Sequence, residues 1–266
     1  STVGRTKAKA TVHEWQTDSL SAVDLNNAQV EGADAVSPTL TSTTMNQNWT
    51  QISDKVVQVS TTDDVVDKAG RTTETAYQLA KASSELKRDM ESILLSDQAG
   101  SAGGTGTART LKGIQTWLTT NVVTAGDGAD TAFTEDNLNE AVLEAYTQGG
   151  EPSMLLVSPS NKQAVSKFAG IAEQRFQAPS NKPTTIVATA DIYMSDFGTL
   201  SVVPDRFLDN SAALVLDPSM ASVAYLRPFK KTKLAKTGDS EKYMMNVEYT
   251  LVVKNEEAHA KISAET

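Results

Sequence analysis

Two histidines and no cysteine limit the chemistry this chain could do. His13 and His259 lie near opposite ends, and His13-Glu14 lacks the second histidine that a zinc-protease helix needs. Without thiols, disulfide staples, thiolate metal sites and thiol catalysis are excluded. A metal site would have to be carboxylate-rich. The run Gly100-Ser101-Ala102-Gly103-Gly104-Thr105-Gly106 fails both phosphate-binding templates. It has no Gly-Lys-Ser/Thr ending, and it follows a helical pattern where those motifs follow a strand. We read it as a mobile linker. Asp63-Asp64, behind Thr62 as a cap, reads as helix-start electrostatics. Acids are plentiful, but no spacing singles out a glycosidase-type pair. We nominate no catalytic, cofactor-binding or metal residue and expect no enzyme. The remaining cluster is basic, from Arg227 to Lys236. It could bind phosphate, form a solvated edge that blocks unwanted strand pairing, or meet an acidic surface on a neighbouring copy.

The elements that must carry these residues follow from pattern. At 266 residues with 39% hydrophobic side chains, the chain suits one large domain or two smaller ones. Aromatics are only 6%, so part of its stability is expected from neighbours. A formal charge of -9 argues against a free-standing DNA binder and suits a wall that must not stick to DNA. No apolar run is long enough to span a bilayer. The absence of a visible signal peptide favours folding in the cytosol. A start at Ser1 leads us to expect an upstream piece, removed or disordered.

A strand is predicted over Val12–Asp18, then a polar stretch to Asn48 with no Lys or Arg. The alternation returns from Trp49 to Ser60, so the stretch is expected to be an extended hairpin. A short helix behind Thr62 is expected to end at Gly70. A long helix over Thr72–Gln98 places Leu79, Ala82, Leu86, Met90, Ile93 and Leu94 on one stripe. Lys81–Glu85 and Lys87–Glu91 are expected i,i+4 pairs. A capped helix starts at Thr134 and closes at Gly149-Gly150, with Leu138, Ala141, Val142, Ala145 and Tyr146 on one face. A buried strand, Met154–Val157, precedes a helix capped by Ser158-Pro159. Short strands follow at Thr185–Ala188, Leu200–Val203, Ala212–Leu216 and Ser222–Leu226. Last comes a ribbon of two long arms joined at Thr237–Ser240, too long for a compact domain and so expected to project.

The closing stretch KTGDSEKYMMNVEYTLVVKNEEAHA resembles tailed-bacteriophage major capsid proteins of the Hong Kong 97 fold. So do Val3–Ala8, His13–Asp18, Asp67–Arg71, Glu85–Glu91, Gly103–Arg109 and Ser201–Arg206, in the family's order. The resemblance implies an α+β chain with an N-terminal arm (1–17) and an extended loop hairpin (18–54) that overlaps a neighbouring subunit. It further implies a peripheral domain (55–130) with a long spine helix (72–98), an axial α/β domain (131–217), and a return to the peripheral domain (218–266). In the phage that names the fold, a lysine in the extended loop forms an isopeptide bond with an asparagine. Here no lysine lies between Lys9 and Lys55, which implies a non-covalent shell.

The implied function is a major capsid protein whose hexamers and pentamers tile an icosahedral head around double-stranded DNA, held without sequence-specific binding. Its implied partners are itself, a portal, and a scaffold or decoration protein, with no membrane. Assembly is expected in the host cytoplasm and residence in the virion. The candidate intersubunit contacts are Asp24, Glu31 and Asp34 of the loop, the cations Arg71, Lys81, Lys87 and Arg88, and the ribbon tip Thr237, Gly238 and Asp239. Three alternatives stay open: an encapsulin-like nanocompartment shell, a phage decoration protein, and a carboxylate-dependent hydrolase.

Overall fold

Two apolar runs, β6 (Met154–Val157) and β9 (Ala212–Leu216), are buried at every residue. Such runs belong in the middle of a sheet covered on both faces. The computed structural model describes residues 3–35, 42–66, 73–124, 133–168 and 191–263. In it β6 and β9 lie side by side in a six-stranded mixed sheet. Its other members are β5 (Val122–Thr124), β7 (Ile192–Ser195), β8 (Gly198–Pro204) and β12 (Ala260–Ser263), in the order β5-β12-β9-β6-β8-β7. Alternation assigns the two faces. Leu155, Val157, Ala213 and Val215 pack with Leu138, Ala141, Val142 and Ala145 of helix α4 (Glu135–Thr147). Met154, Leu156, Leu214 and Leu216 pack with Ile114 of the one-turn helix α3 (Ile114–Trp117), and with Leu118, Leu251 and Val253.

The local signals that build this body are those expected. Thr134 Oγ1 accepts from Asn137 N at the start of α4. Gly149, with φ 86, closes it. Ser158 Oγ accepts from Asn161 N, with Pro159 opening α5 (Pro159–Val165). Tyr146 departs from the expected buried face: it is half exposed and packs on Phe197 with ring centroids 5.1 Å apart.

The second body is a four-stranded sheet in the order β1-β10-β11-β4: β1 (Gly4–Lys7), β10 (Ala221–Lys233), β11 (Ser240–Val253) and β4 (Gln51–Ser60). Helix α2 (Glu74–Leu95) covers one face, burying Leu86 and Met90 against Val223, Val247 and Tyr249. Its 22 residues make ~33 Å of helix, shorter than the Thr72–Gln98 expected. The predicted Lys81–Glu85 pair is present at 3.8 Å. Lys87–Glu91 is not among the ion pairs of the described residues. Glu91 instead meets Asp205, and burial followed by this second carboxylate raises its pKa.

Two further expectations change near α2. The short helix α1 spans Thr61–Val65 with Ser60, not Thr62, at the N-cap position. Asp64 accepts from Thr75 N at 3.0 Å, so it caps the next helix rather than only its own. The Gly-rich stretch is not a loose linker. Antiparallel bridges Ser101↔Thr110 and Gly104↔Thr107 fold it into a small hairpin. Gly103 sits there at φ +70, where an added Cβ would lie 2.8 Å from Arg109 N.

The terminal ribbon also differs from a free two-stranded arm. β4 pairs along the far half of β11, from Gln51↔Tyr249 to Ser60↔Ser240. The projecting part is therefore three strands wide. The extended hairpin is closed instead by β2 (Val12–Thr17) and β3 (Thr44–Trp49), in register from Val12↔Trp49 to Thr17↔Thr44. A break at Thr50 cuts the expected Trp49–Ser60 strand after its first residue: Trp49 ends β3, while Gln51–Ser60 forms β4 in a different sheet. Thr185–Ala188, Gly70, Arg71 and Thr72 lie outside the described residues. No described helix is long and apolar enough to cross a membrane.

Candidate intersubunit surface

The extended hairpin is anchored at its root by side chains that only a buried site would use. Asn48 is buried and donates from Nδ2 to Leu251 O at 2.8 Å and Lys112 O at 3.1 Å. Its Oδ1 accepts from Lys112 N at 2.8 Å and Trp49 N at 2.9 Å. One amide thus ties β3 to β11 and to the segment before α3. Trp15 Nε1 donates to Val253 O at 2.8 Å, and its ring lies 5.5 Å from that of Trp117. The Lys112 ammonium sits 4.1 Å from the Trp117 ring centroid. Burial lowers its pKa despite the opposing charge of Glu256. Beside this root lies an open groove of about 360 Å³, lined in part by Asp18, Lys112, Trp117 and Glu256.

Beyond the root the loop has little to rest on. Residues 18–35 are exposed throughout. Leu20, Val23, Leu25 and Val30 are 99%, 87%, 91% and 79% exposed. The bonds it makes are local turns: Asn26 N donates to Asp24 Oδ1 at 2.8 Å, and Ala33 N to Val30 O at 3.0 Å. Asp24, Glu31 and Asp34 make no ion pair among the described residues. The segment thus exposes four large apolar side chains together with acids that make no ion pair among the described residues, the composition of a surface that contacts a partner.

The candidate cations are placed unequally. Lys81 is already paired with Glu85. The Arg88 guanidinium lies 5.3 Å from the Phe207 ring centroid. Lys87 is exposed and makes no ion pair among the described residues. Arg71 lies outside them. Within one chain no described ion pair joins the loop's acids to these cations. At the ribbon tip Thr237, Gly238 and Asp239 are exposed, and Lys242 Nζ donates to Thr237 Oγ1 at 2.6 Å. Just behind the tip, Glu241 accepts from Lys233 at 2.8 Å and from Tyr243 OH at 2.8 Å, and lies 3.7 Å from Lys236. The Lys233 and Tyr243 bonds hold the Glu241 carboxyl down to about 2. Much of the basic run is therefore neutralised or stacked in its own chain; Lys231 lies 4.6 Å from the Tyr243 ring centroid.

The strongest electrostatic centre was not nominated from sequence. Glu248 is only 4% exposed. Its Oε1 accepts from Arg109 at 2.7 Å and Thr50 Oγ1 at 2.8 Å, and its Oε2 accepts from Arg227 Nε at 2.7 Å. Burial pushes its pKa up, but the Thr50 and Arg227 bonds and both guanidinium charges overcome this and lower it. A lone acid in the apolar run Val247–Val253 was a readable signal of a paired buried charge. Its partners, 139 and 21 residues away, had no local signature.

The whole chain, residues 1–266, matches the family model described as SU10 major capsid protein. A curated relative, the major capsid protein of Escherichia phage Phieco32, is 29% identical over 308 residues, covering 96% of this chain and 86% of the relative. A solved structure from Mycobacterium phage Cain superposes with a TM-score of 0.66 at 10% identity, covering 100% of this chain and 89% of that one. The SrpI encapsulin of Synechococcus elongatus gives 0.62 at 14% identity, covering 98% and 84%. Likenesses at such identities establish the fold, an α+β fold of the Hong Kong 97 type.

Proposed function

The chain belongs to the SU10 major capsid protein family and forms the capsid shell of a tailed phage, and from that premise we propose how its copies hold one another. The extended loop overlies an adjacent copy and is completed by it. One observation carries this reading: Leu20, Val23, Leu25 and Val30 are all at least 79% exposed in the lone subunit. Burying them would contribute on the order of 6 kcal/mol per copy before ordering costs. The acids Asp24, Glu31 and Asp34 then meet cations of that neighbour, with Arg71, Lys81, Lys87 and Arg88 as candidates. Lys87 is the most available of those described. Thr237, Gly238 and Asp239 form a second contact, between capsomers. Each contact is weak, and the lattice multiplies it.

Within this reading the copies form hexamers and pentamers around packaged double-stranded DNA, which the acidic wall encloses without sequence-specific binding. A portal, and a scaffold or decoration protein, complete the head in the host cytoplasm. The domain limits given above divide the subunit. We assign no catalytic role. His259 is fully buried and accepts from Asp217 N at 3.1 Å, which supports a structural part for it. The lattice is non-covalent, and denaturing electrophoresis of mature particles should give one subunit band; a ladder of linked subunits would sink this.

Electron microscopy of the chain expressed with its phage partners tests the main reading. Icosahedral particles are expected, and Asp24→Lys with Glu31→Lys should reduce their yield and salt tolerance. Unchanged yield would remove the electrostatic part. The likeness to an encapsulin favours one second reading, a nanocompartment loaded with protein. The contents of purified particles, DNA or protein, separate the two.

A further inference from the structure

The surplus of positive charge around Glu248 has a direction. Two guanidinium groups share one carboxylate, whose two oxygens are both engaged. Arg109 is turned inward, its Nε donating to Thr50 O at 3.1 Å. Arg227 binds Glu248 through Nε alone, and its side chain is 52% exposed. Its two terminal nitrogens have no partner among the described residues. The register shifts on both sides of it, between Tyr225 and Arg227 and between Arg227 and Lys230, so Arg227 stands at a bulge on the ribbon. With Nε fixed, the terminal nitrogens form an oriented fork of the kind that grips a carboxylate.

The surface around the fork has matching character. Glu248 is the cross-strand partner of Ile52, and Met244 that of Val56, so these share one sheet face. α2 packs on the opposite face, against Val247 and Tyr249. Ile52 and Val56 are 49% and 55% exposed. Asp54 and its cross-strand partner Asn246 lie between these two pairs on the same face, so Ile52 is the apolar contact nearest the fork and Val56 lies beyond an acid. A cationic fork with Ile52 beside it is complementary to a segment that sets Val23 and Leu25 about Asp24, and Val30 beside Glu31. An extended polyanion such as nucleic acid would match the fork but meet the exposed Asp54 next to it.

We infer that Arg227 and the open sheet face beside it form a carboxylate-recognition site whose occupant is the extended loop, residues 18–35, of a second copy. This rests on the loop-docking reading above and assigns the loop a receptor other than the α2 cations.

The test uses assembled particles of the full chain carrying Arg227→Lys, which keeps the charge and adds a reactive amine. A water-soluble carbodiimide activates a carboxyl group; the amine displaces it to form an amide, and the reagent leaves as a urea. Mass spectrometry then reads which peptides are joined. Linkage of position 227 to the loop peptide is expected in particles and not in unassembled subunits. If Lys87 is linked to the loop while position 227 is not, the loop docks on α2 and the present inference falls. If no lysine is linked to the loop, loop docking itself fails. As a second measurement, Arg227→Gln should lower particle yield about tenfold in subunits that circular dichroism shows to be folded, and because it also removes a partner of Glu248 the melting temperature should fall as well. Undiminished yield and salt tolerance would overturn the site.

Discussion

Two long hairpins leave the body of this subunit, and they differ in where their partners lie. Much of the charge on the ribbon of β10 and β11 is met within its own chain. β4 widens it, Glu241 gathers Lys233, Lys236 and Tyr243 near the tip, and Glu248 gathers Arg109 and Arg227 toward its base. The extended loop has a firm root at Trp15 and Asn48 and then nothing but local turns. Its apolar side chains face solvent, and Asp24, Glu31 and Asp34 make no ion pair among the described residues. On the docking proposed above, the ribbon folds with the subunit and the loop is completed by a second copy. Such a segment would be necessary to a shell and contribute almost nothing to the stability of the unit that carries it.

The sharpest way to break this contrast is to replace Leu20, Val23, Leu25 and Val30 together by serine. Particle formation should be lost, while the unfolding free energy of the isolated subunit, read by urea titration, changes by less than ~0.5 kcal/mol, as for other surface changes. A large loss of subunit stability would show that the loop is held in its own chain after all.

Next in size is Glu248→Ala. It leaves two guanidinium groups around an empty buried position, so the subunit should lose about 3 kcal/mol by chemical denaturation. The parent should also show the acid dependence of this carboxylate. Its folded pKa lies below the ordinary 4.5, so its stabilisation is complete above that pH and is lost as pH falls through the folded value. Glu248→Ala should flatten that limb of the stability curve.

Trp15→Ala sits between the two regimes. It deletes the bond to Val253 and the packing on Trp117, costing the subunit ~2 kcal/mol because the ring is only partly buried. Amide exchange should quicken in β2 and β3 and remain slow in β11. Equal quickening in both would mean the hairpin root and the ribbon are one unit. The smallest effect belongs to Glu241→Gln. That group is exposed, so global stability should hardly change, and the loosening should appear as faster exchange confined to residues near the ribbon tip.

What was legible in the sequence is what neighbours along the chain decide. Thr134 with its acids, Gly149-Gly150, and Ser158-Pro159 marked helix ends because capping is settled within four residues. The runs 154–157 and 212–216 marked central strands because burial on both faces needs unbroken apolar sequence. The interruption at Thr50 was not legible. Gln51–Ser60 keeps the alternation of a strand, and only pairing with Ser240–Tyr249 shows which sheet it joins. The Arg109–Glu248–Arg227 centre was hidden for the same reason, since its parts meet only when distant segments pair. The loop was legible as a long polar stretch without lysine or arginine between two strands, and its overlap with a neighbour is what the family resemblance implies. Its apolar residues are ordinary as sequence, and only the fold shows that Leu20, Val23, Leu25 and Val30 are exposed.

The order of the strands has a consequence for synthesis. β1 pairs with β10 across 218 residues of chain, from Gly4 to Ser222, and β11 fills the middle of the four-stranded sheet. β12, the last described strand, lies inside the six-stranded sheet, between β5 and β9. Neither sheet can close until nearly all of the polypeptide has left the ribosome, a wait on the order of tens of seconds. Throughout that time the loop has already emerged while the ribbon is still unformed. If the loop docks on the ribbon as inferred above, a nascent or truncated chain has no receptor to offer.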